Sequence, residues 1–237
     1  MCTLTYLPLP NGYIFTHNRD ERMDRPTTPH FVEDIIGGVK VFFPKDLEAQ
    51  GTWFAFSESN KAACLLNGGS HPHQRKLPYR HSRGLVVLDS FKHASATHFY
   101  QGYNFNNLEP FTLLLKDQTG LFQITHDTAQ TTINQINSSE TQIWSSSMLY
   151  TPQVRIKRKH WFDKWRQSNN QFTANGILNF HLQAGDGDSE NDLLMSRWGI
   201  LKTLSVSQIS TNHEKAELLY KDFISGSEQY LTQTLKG

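Results

Sequence analysis

The sequence is poor in cysteine, in long apolar runs and in excess charge, and each shortage excludes a class of protein. Only Cys2 and Cys64 occur among 237 residues, so the chain can form one disulfide at most. A disulfide-stapled scaffold is therefore not indicated, and a reducing cytoplasm is the expected location. No stretch approaches the roughly 18 apolar residues of a membrane span, and residues 1–15 lack the basic n-region of a signal peptide.

Charge is balanced, because 23 Lys plus Arg stand against 22 Asp plus Glu and give a formal net charge of +1. Such a chain has no electrostatic footprint for nucleic acid or acidic lipid, and neither is an expected partner. The sequence has neither a glycine-rich phosphate-binding motif nor a Gly-x-Ser-x-Gly elbow. His71, His73 and His81 lie close together, but no cysteine or acid stands at metal-ligand spacing nearby. We therefore expect no metal and no cofactor.

Hydrophobic periodicity predicts an α+β protein. In the first third of the chain, short apolar runs separated by turn residues indicate strands and hairpins. Residues 82–102 have helical spacing, residues 111–136 return to strand-like runs, and helices are again indicated after Pro152. Strands and helices in separate runs favour mostly antiparallel sheets. No composition shift marks a linker, so we predict one domain spanning residues 1–237.

Cys2 is the first candidate for chemistry. An initiator methionine is removed when the second side chain is small, as cysteine is, so removal of Met1 would leave a free α-amine on the residue that carries the thiol. A thiol of pKa about 8.5 and an α-amine of pKa about 7.7–8.0 would then form a nucleophile and its base on one residue. Taken alone, a cysteine at position 2 is more often an ordinary buried residue.

A polar segment follows the second predicted strand, with Asn18, Arg19, Asp20 and Glu21 in succession. An antiparallel hairpin through the turn at residues 10–12 would bring this segment next to the thiol. Arg19 would then lower the pKa of the thiol as a nearby cation, and Asp20 would hold the α-amine in place. A solvated loop of paired charges is the simpler alternative.

Two further residues fit an acyl-transfer site. Asn67 ends an apolar run and precedes two glycines, where its side-chain amide would be placed to donate to an oxyanion. An asparagine at such a place is also a common turn former. Trp53 belongs to an aromatic segment that would line an apolar acyl site, the alternative being a core position on a sheet.

These residues together resemble one family. The initial Met-Cys, Asn-Arg-Asp-Glu-Arg at 18–22, Gly-Thr-Trp at 51–53, Asn67 and Ser-Arg-Gly at 82–84 are similar in order and spacing to the family called NRDE, or Transport and Golgi organisation protein 2. The resemblance covers about the first 90 residues closely and the later segments more loosely.

The resemblance implies an N-terminal nucleophile hydrolase fold, which is a four-layer αββα sandwich of two antiparallel sheets between helical layers. It also implies the chemistry of the choloylglycine hydrolase and acid ceramidase group of amidases. By position, Cys2 matches their nucleophile, Asp20 their catalytic aspartate, and Asn67 an asparagine of their oxyanion hole.

The sequence departs from those amidases at two places. They carry an arginine where this chain has His17, whereas here Arg19 follows Asn18, and a shift along a strand can turn a side chain to the opposite face. Ser146 stands where they have a second oxyanion-hole asparagine, and it is a shorter donor.

Two functions of different class fit these observations. The first is a hydrolase that uses Cys2 to cleave the amide or ester bond of a small acyl substrate. Its predicted catalytic residues are Cys2, Arg19, Asp20 and Asn67, and its predicted substrate-binding residues are Asn18, Trp53 and Ser146. The second is a non-catalytic carrier for a hydrophobic ligand such as a lipid, an acyl thioester or haem. Only the hydrolase requires a free amine on Cys2.

Overall fold

The structure, a computed structural model, describes residues 2–236. Its elements are Cys2–Leu9 (β1), Gly12–Arg22 (β2), Thr27–Ile36 (β3), Val39–Asp46 (β4), Phe54–Ser57 (β5), Ala62–Asn67 (β6), Arg83–Ser90 (α1), Ala96–Gly102 (α2), Phe111–Asp117 (β7), Gly120–His126 (β8), Thr131–Ile136 (β9), Gln142–Ser145 (β10), Pro152–Gln167 (α3), Ala174–Gln183 (α4), Ser196–Arg197 (β11), Leu201–Thr211 (β12), Lys215–Asp222 (β13) and Glu228–Thr234 (β14).

The strands form two antiparallel sheets. In sheet A the order is β10, β1, β2, β12, β13, β14, and β11 pairs with β12. In sheet B the order is β3 to β9 in sequence, which is a plain meander. The predicted α+β class with antiparallel sheets is confirmed.

Side-chain alternation along the central strands separates two apolar clusters. Leu4 and Phe15 belong to the large core that joins the two sheets. Leu7 and Ile14 instead pack with Phe162 in a second cluster that includes α3 and α4. Because successive side chains of a strand point to opposite faces, sheet A is covered by sheet B on one face and by α3 and α4 on the other.

The helices complete the layers. Helices α1 and α2 contact sheet B, and α3 and α4 contact sheet A. The predicted four-layer αββα sandwich is therefore confirmed. None of the helices in residues 2–236 is long and apolar enough to cross a membrane.

The first hairpin places the polar segment inside the fold. Strands β1 and β2 pair through a two-residue turn, with Cys2 opposite Arg19. Strand β2 continues to Arg22 because β12 pairs along its other edge. Asn18, Arg19 and Asp20 are consequently buried, with at most 4% of each exposed. The segment is part of a central strand and not a solvated loop.

The sequence did not predict four strands, namely β3, β10, β11 and β14, and three of these are edge strands. Strands β10 and β14 end sheet A, and β3 ends sheet B. An edge strand has fewer neighbours to cover it, so it carries more polar side chains and lacks a clear apolar alternation. Strand β14 illustrates this, because its residues are all exposed or half-buried.

Candidate active site

Cys2 and Arg19 lie side by side on the face of sheet A that points to sheet B. They are directly opposite in the antiparallel register, and such residues project to the same face of a sheet. The Cys2 side chain is 3% exposed. Its backbone oxygen accepts a hydrogen bond of 2.9 Å from the backbone N–H of Ser146. The thiol is thus fixed at the start of β1, beside a buried guanidinium.

The Arg19 guanidinium is held in place, but not all of its N–H groups donate hydrogen bonds. It lies 4.2 Å from the centre of the Trp53 ring, and its Nη2 donates to Asp46 Oδ2 at 3.2 Å. Its Nη1 and the indole Nε1 of Trp53 are both buried, and neither has a hydrogen-bond partner among residues 2–236. The stacked Arg19 and Trp53 side chains therefore carry two donors that have no partner among residues 2–236.

Asp46, which the sequence analysis missed, determines where Arg19 lies. Its Oδ2 accepts from Arg19 and, at 3.0 Å, from Arg25 Nε. Its Oδ1 accepts from the backbone N–H groups of Glu48 and Ala49 at 3.1 and 2.9 Å. An aspartate before a turn is a recognisable local signal. The pairing with two arginines is a tertiary contact that the spacing does not reveal.

These residues open into one cavity of about 580 Å³, which is also lined by Trp53, Asn67 and the beginning of α1. The cavity is rich in charge. Its lining includes the arginines Arg19, Arg22, Arg25, Arg75 and Arg83 and the acids Glu21, Asp46, Glu48 and Glu109. Its volume falls within the range of about 300–1,000 Å³ that is usual for small-molecule sites.

Two glycines allow α1 to reach the cavity. A Cβ on Gly51 would lie 2.4 Å from the carbonyl carbon of Gly84, and one on Gly84 would lie 2.8 Å from Thr52 N. Ser82 caps α1 by accepting from Gly84 N at 3.2 Å. The Gly-Thr-Trp segment at 51–53 and the Ser-Arg-Gly segment at 82–84 therefore touch, because neither glycine has a side chain.

Asn67 lies at the end of β6 with its side chain on the cavity. No side-chain atom of Asn67 hydrogen-bonds to another residue in the described part of the chain, so the amide is free to donate to a bound molecule. Its backbone oxygen accepts from Ser146 Oγ. The hydroxyl of Ser146 is thus engaged, and Ser146 joins the backbones of Cys2 and Asn67 without lining the cavity that they share.

Asn18 lies on the opposite face of β2, towards the helices. Its side-chain nitrogen donates to the backbone oxygens of His181 and Leu193 at 3.1 and 2.9 Å. Its side-chain oxygen accepts from His181 Nδ1 at 2.7 Å. Asn18 does not line the cavity, and we do not include it among the residues proposed to bind substrate.

Asp20 shares that opposite face. It accepts hydrogen bonds from Tyr150 Oη at 2.5 Å and from Thr203 Oγ1 at 2.6 Å. Burial raises the pKa of Asp20, while the Arg158 guanidinium and these two hydroxyl donors act in the opposite direction. Asp20 is therefore next to the nucleophile along the sheet but is not on the face of the thiol.

A buried arginine, also missed from the sequence, supports this face. Arg158 of α3 is fully buried and stacks on the Tyr150 ring, with 3.6 Å from guanidinium to ring centre. It donates to Thr3 Oγ1 and to the backbone oxygens of Asn191 and Asp192. Among six basic residues on this helix, its spacing gave no sign that it alone points inwards.

Electrostatics at the thiol favour its neutral form. Burial raises the pKa of Cys2, and the Asp20 carboxylate raises it further, whereas the Arg19 guanidinium lowers it. Arg19 thus acts in the predicted direction, but burial has the larger effect. The α-amine that would accept the thiol proton depends on Met1, which lies outside the described residues.

His17 occupies the position of the amidase arginine. It lies two residues from Arg19, so both face sheet B, and the expected turn of Arg19 to the opposite face is wrong. Burial lowers the pKa of His17 to about 3. Its Nε2 donates to the Leu65 carbonyl at 3.1 Å, which opposes the effect of burial on the pKa without cancelling it.

The described residues contain no group of three or more His, Cys, Asp or Glu side chains arranged to hold a metal ion. Among the groups that line the cavity, the thiol of Cys2, the guanidinium of Arg19 and the amide of Asn67 can attack, attract and stabilise an acyl carbonyl.

The fold is that of the N-terminal nucleophile hydrolases. A mutant conjugated bile acid hydrolase from Clostridium perfringens aligns with a TM-score of 0.53 and 11% identity over 100% of this chain and 97% of that one. A second variant of that hydrolase aligns with a TM-score of 0.54 and 12% identity over the same shares. A Caenorhabditis elegans ortholog of N-acylethanolamine-hydrolyzing acid amidase aligns with a TM-score of 0.59 and 9% identity over 88% and 92%. At such identities the likeness shows the fold alone.

The chain belongs to the Transport and Golgi organisation 2 family, whose model matches residues 1–234. The predicted resemblance is confirmed, and it extends far beyond the first 90 residues. No curated protein matches the chain.

Proposed function

We propose that this protein is a cysteine-dependent hydrolase that cleaves the amide or ester bond of a small acyl substrate carrying a negative charge. One observation carries the proposal: Cys2, Arg19 and Asn67 line a single cavity. The thiol and guanidinium are adjacent in register, and the amide is unoccupied within the described residues.

The reaction begins after Met1 has been removed. The α-amine of Cys2 takes the Sγ proton, and the thiolate attacks the substrate carbonyl carbon. The oxyanion of the tetrahedral intermediate accepts a hydrogen bond from the Asn67 amide. Collapse breaks the C–N or C–O bond, and the leaving group takes the proton from the α-ammonium. A water molecule, deprotonated by the same amine, then hydrolyses the thioester and restores the thiol.

Asp20 acts in this proposal as a positioning residue. Its two oxygens already accept from Tyr150 and Thr203, but a carboxylate has about four acceptor sites. A remaining lone pair would orient the α-amine of Cys2, which is the role predicted for Asp20 from the polar segment of the sequence.

The charged lining supports an anionic substrate. Five arginines face four acids in the cavity, and Arg19 Nη1 and Trp53 Nε1 are donors that lack a partner among residues 2–236. Unpaired buried donors are costly, and a substrate carboxylate would satisfy both. A purely apolar ligand would leave them unsatisfied, so the predicted hydrophobic ligand must carry an anionic group.

The test compares the two cysteines. Cys2→Ala should remove turnover of acyl amides, whereas Cys64→Ala makes the same change at a buried cysteine that does not line the cavity and should retain it. Intact mass must show that Met1 is absent from the active material. Arg19→Met should raise KM for carboxylate-bearing amides and leave KM for uncharged amides nearly unchanged. Turnover that survives Cys2→Ala would refute the proposal.

The carrier remains the second candidate, because the buried thiol has a raised pKa and is protonated at neutral pH unless a base activates it. A carrier would bind an anionic acyl ligand with one-to-one stoichiometry in both wild type and Cys2→Ser, without product. Equal binding by both proteins, together with no turnover across the amide screen, would favour it.

A further inference from the structure

A second cavity, of about 410 Å³, lies between α3 and the strands around β10. It is separated from the first cavity by residues 145–147, which line the second one, while Met148 lines the first. Six hydroxyl side chains line it: Ser70, Thr112, Thr125, Ser145, Ser146 and Ser147. No carboxylate lines it among residues 2–236.

Two cations of α3 line this cavity, Arg155 and Lys159, and Arg155 is the one without a carboxylate partner among residues 2–236. Its Nε is buried and has no hydrogen-bond partner among residues 2–236. It also makes no salt bridge with any described carboxylate, unlike Lys159 at the same cavity, which binds Asp163 at 2.6 Å. A guanidinium keeps its charge at any physiological pH. Its buried N–H therefore gains most from an anionic acceptor.

Two of the hydroxyls remain available as donors. Four already donate elsewhere: Ser70 to Asp127, Thr112 to Gly68, Ser146 to Asn67 and Ser147 to Gly69. Thr125 accepts from Gln123 at 3.1 Å, which leaves its own proton free. Ser145 has only a 3.4 Å contact with Thr3 Oγ1.

The cavity also has an apolar side. The Trp144 ring lines it, and its Nε1 donates to Gln123 at 3.0 Å. Ile156, the residue after Arg155, lines it while 69% exposed. A ligand that suits both sides has an anionic head and an apolar substituent.

We propose that this second cavity binds a phosphate monoester with an apolar substituent. Arg155, Ser145 and Thr125 come from three elements, and three donors match the three terminal oxygens of a phosphate better than the two oxygens of a carboxylate. The substituent packs against Trp144 and Ile156. This inference concerns binding alone and does not depend on hydrolysis at Cys2.

The experiment is a calorimetric titration of the full chain with phenyl phosphate, inorganic phosphate and benzoate. Phenyl phosphate is expected to bind most tightly. Arg155→Gln should weaken it at least about ten-fold, because a charge-assisted hydrogen bond is lost. Arg166→Gln, the same change at an exposed position of α3, should leave the affinity unchanged. Arg155→Lys keeps the charge without the Nε donor and should give an intermediate loss in a folded protein.

Nuclear magnetic resonance locates the ligand. The indole N–H signal of Trp144, assigned with Trp144→Phe, should shift on titration, and that of Trp53 should not. A shift confined to Trp53 would place the phosphate in the first cavity and overturn the proposal. Absence of binding, or equal weakening by Arg166→Gln, would also overturn it. Benzoate binding as tightly as phenyl phosphate would overturn the phosphate assignment, and equal binding of inorganic phosphate would overturn the apolar part.

Discussion

The sharpest stability prediction concerns Asp46, because one carboxylate orders two arginines of the first cavity. Asp46→Asn keeps the shape and can keep the oxygen that accepts from Glu48 and Ala49. It replaces the other oxygen by an amide nitrogen that faces the donors of Arg19 and Arg25. Both charge-assisted hydrogen bonds are lost, and donors then point at donors.

The magnitude follows from the burial of the two arginines. Each hydrogen bond to a charged group contributes about 1.5–3 kcal/mol, so two would amount to about 3–6 kcal/mol. Arg25 is 28% exposed and already contacts Glu48 at 3.3 Å. It therefore keeps an ion pair and solvent contact in the variant, and most of the loss of its hydrogen bond to Asp46 is offset. Arg19 is 4% exposed and makes no salt bridge with another carboxylate among residues 2–236. We expect a net loss of about 2–4 kcal/mol in the free energy of unfolding.

The assay is urea denaturation at pH 7, with Asp24→Asn as the matched control. Asp24 pairs with Arg22, but both side chains are largely exposed, so that change should leave the free energy of unfolding nearly unchanged. A loss below about 1 kcal/mol for Asp46→Asn, or one equal to the control, would refute the view that Arg19 depends on Asp46.

Two further predictions concern buried groups around β2. Burial lowers the pKa values of His17 and His181 to about 3, so between pH 6.5 and 3 the unfolded chain binds protons that the folded chain does not. The free energy of unfolding should fall as pH falls through that window, by up to about 1.4 kcal/mol per pH unit for each histidine. His17→Gln should remove the contribution of one histidine to this pH dependence, which urea titrations at several pH values would measure. Tyr150→Phe removes one of two hydroxyl donors to Asp20 and should cost about 1.5–3 kcal/mol by urea denaturation, a value below about 0.5 kcal/mol being inconsistent with this bond.

Much of the fold could be predicted because its central elements have strong local signals. The turn after β1 fixes the register of the first hairpin, and that register alone brings Arg19 opposite Cys2. Ser82 as an N-cap and apolar residues at helical spacing predict helix α1. Strands β3, β10 and β14 were missed because a strand at the edge of a sheet needs little apolar patterning.

The candidate site was predictable only in part, because its partners come from distant segments. Asp46 and Arg158 are ordinary charged residues in sequence, and they become important only when packing places them beside Arg19 and Asp20. Ser146 was identified by resemblance, but its hydroxyl bonds to the backbone of Asn67 and does not face the cavity. The position of Ser146 along the chain indicated that it lies near the site, whereas its hydrogen bond shows that it supports the backbone of Asn67.

The polar segment of β2 is informative because its two faces serve different purposes. His17 and Arg19 point towards sheet B, where Arg19 lines the cavity with the thiol. Asn18 and Asp20 point towards the helices, where each has at least two hydrogen-bond partners. A run of polar residues resembles a loop when only its average polarity is considered. Read with the period of two that a strand imposes, it separates into a reactive face and a supporting face. A change at Arg19 should therefore alter ligand chemistry first, and a change at Asn18 should alter stability first.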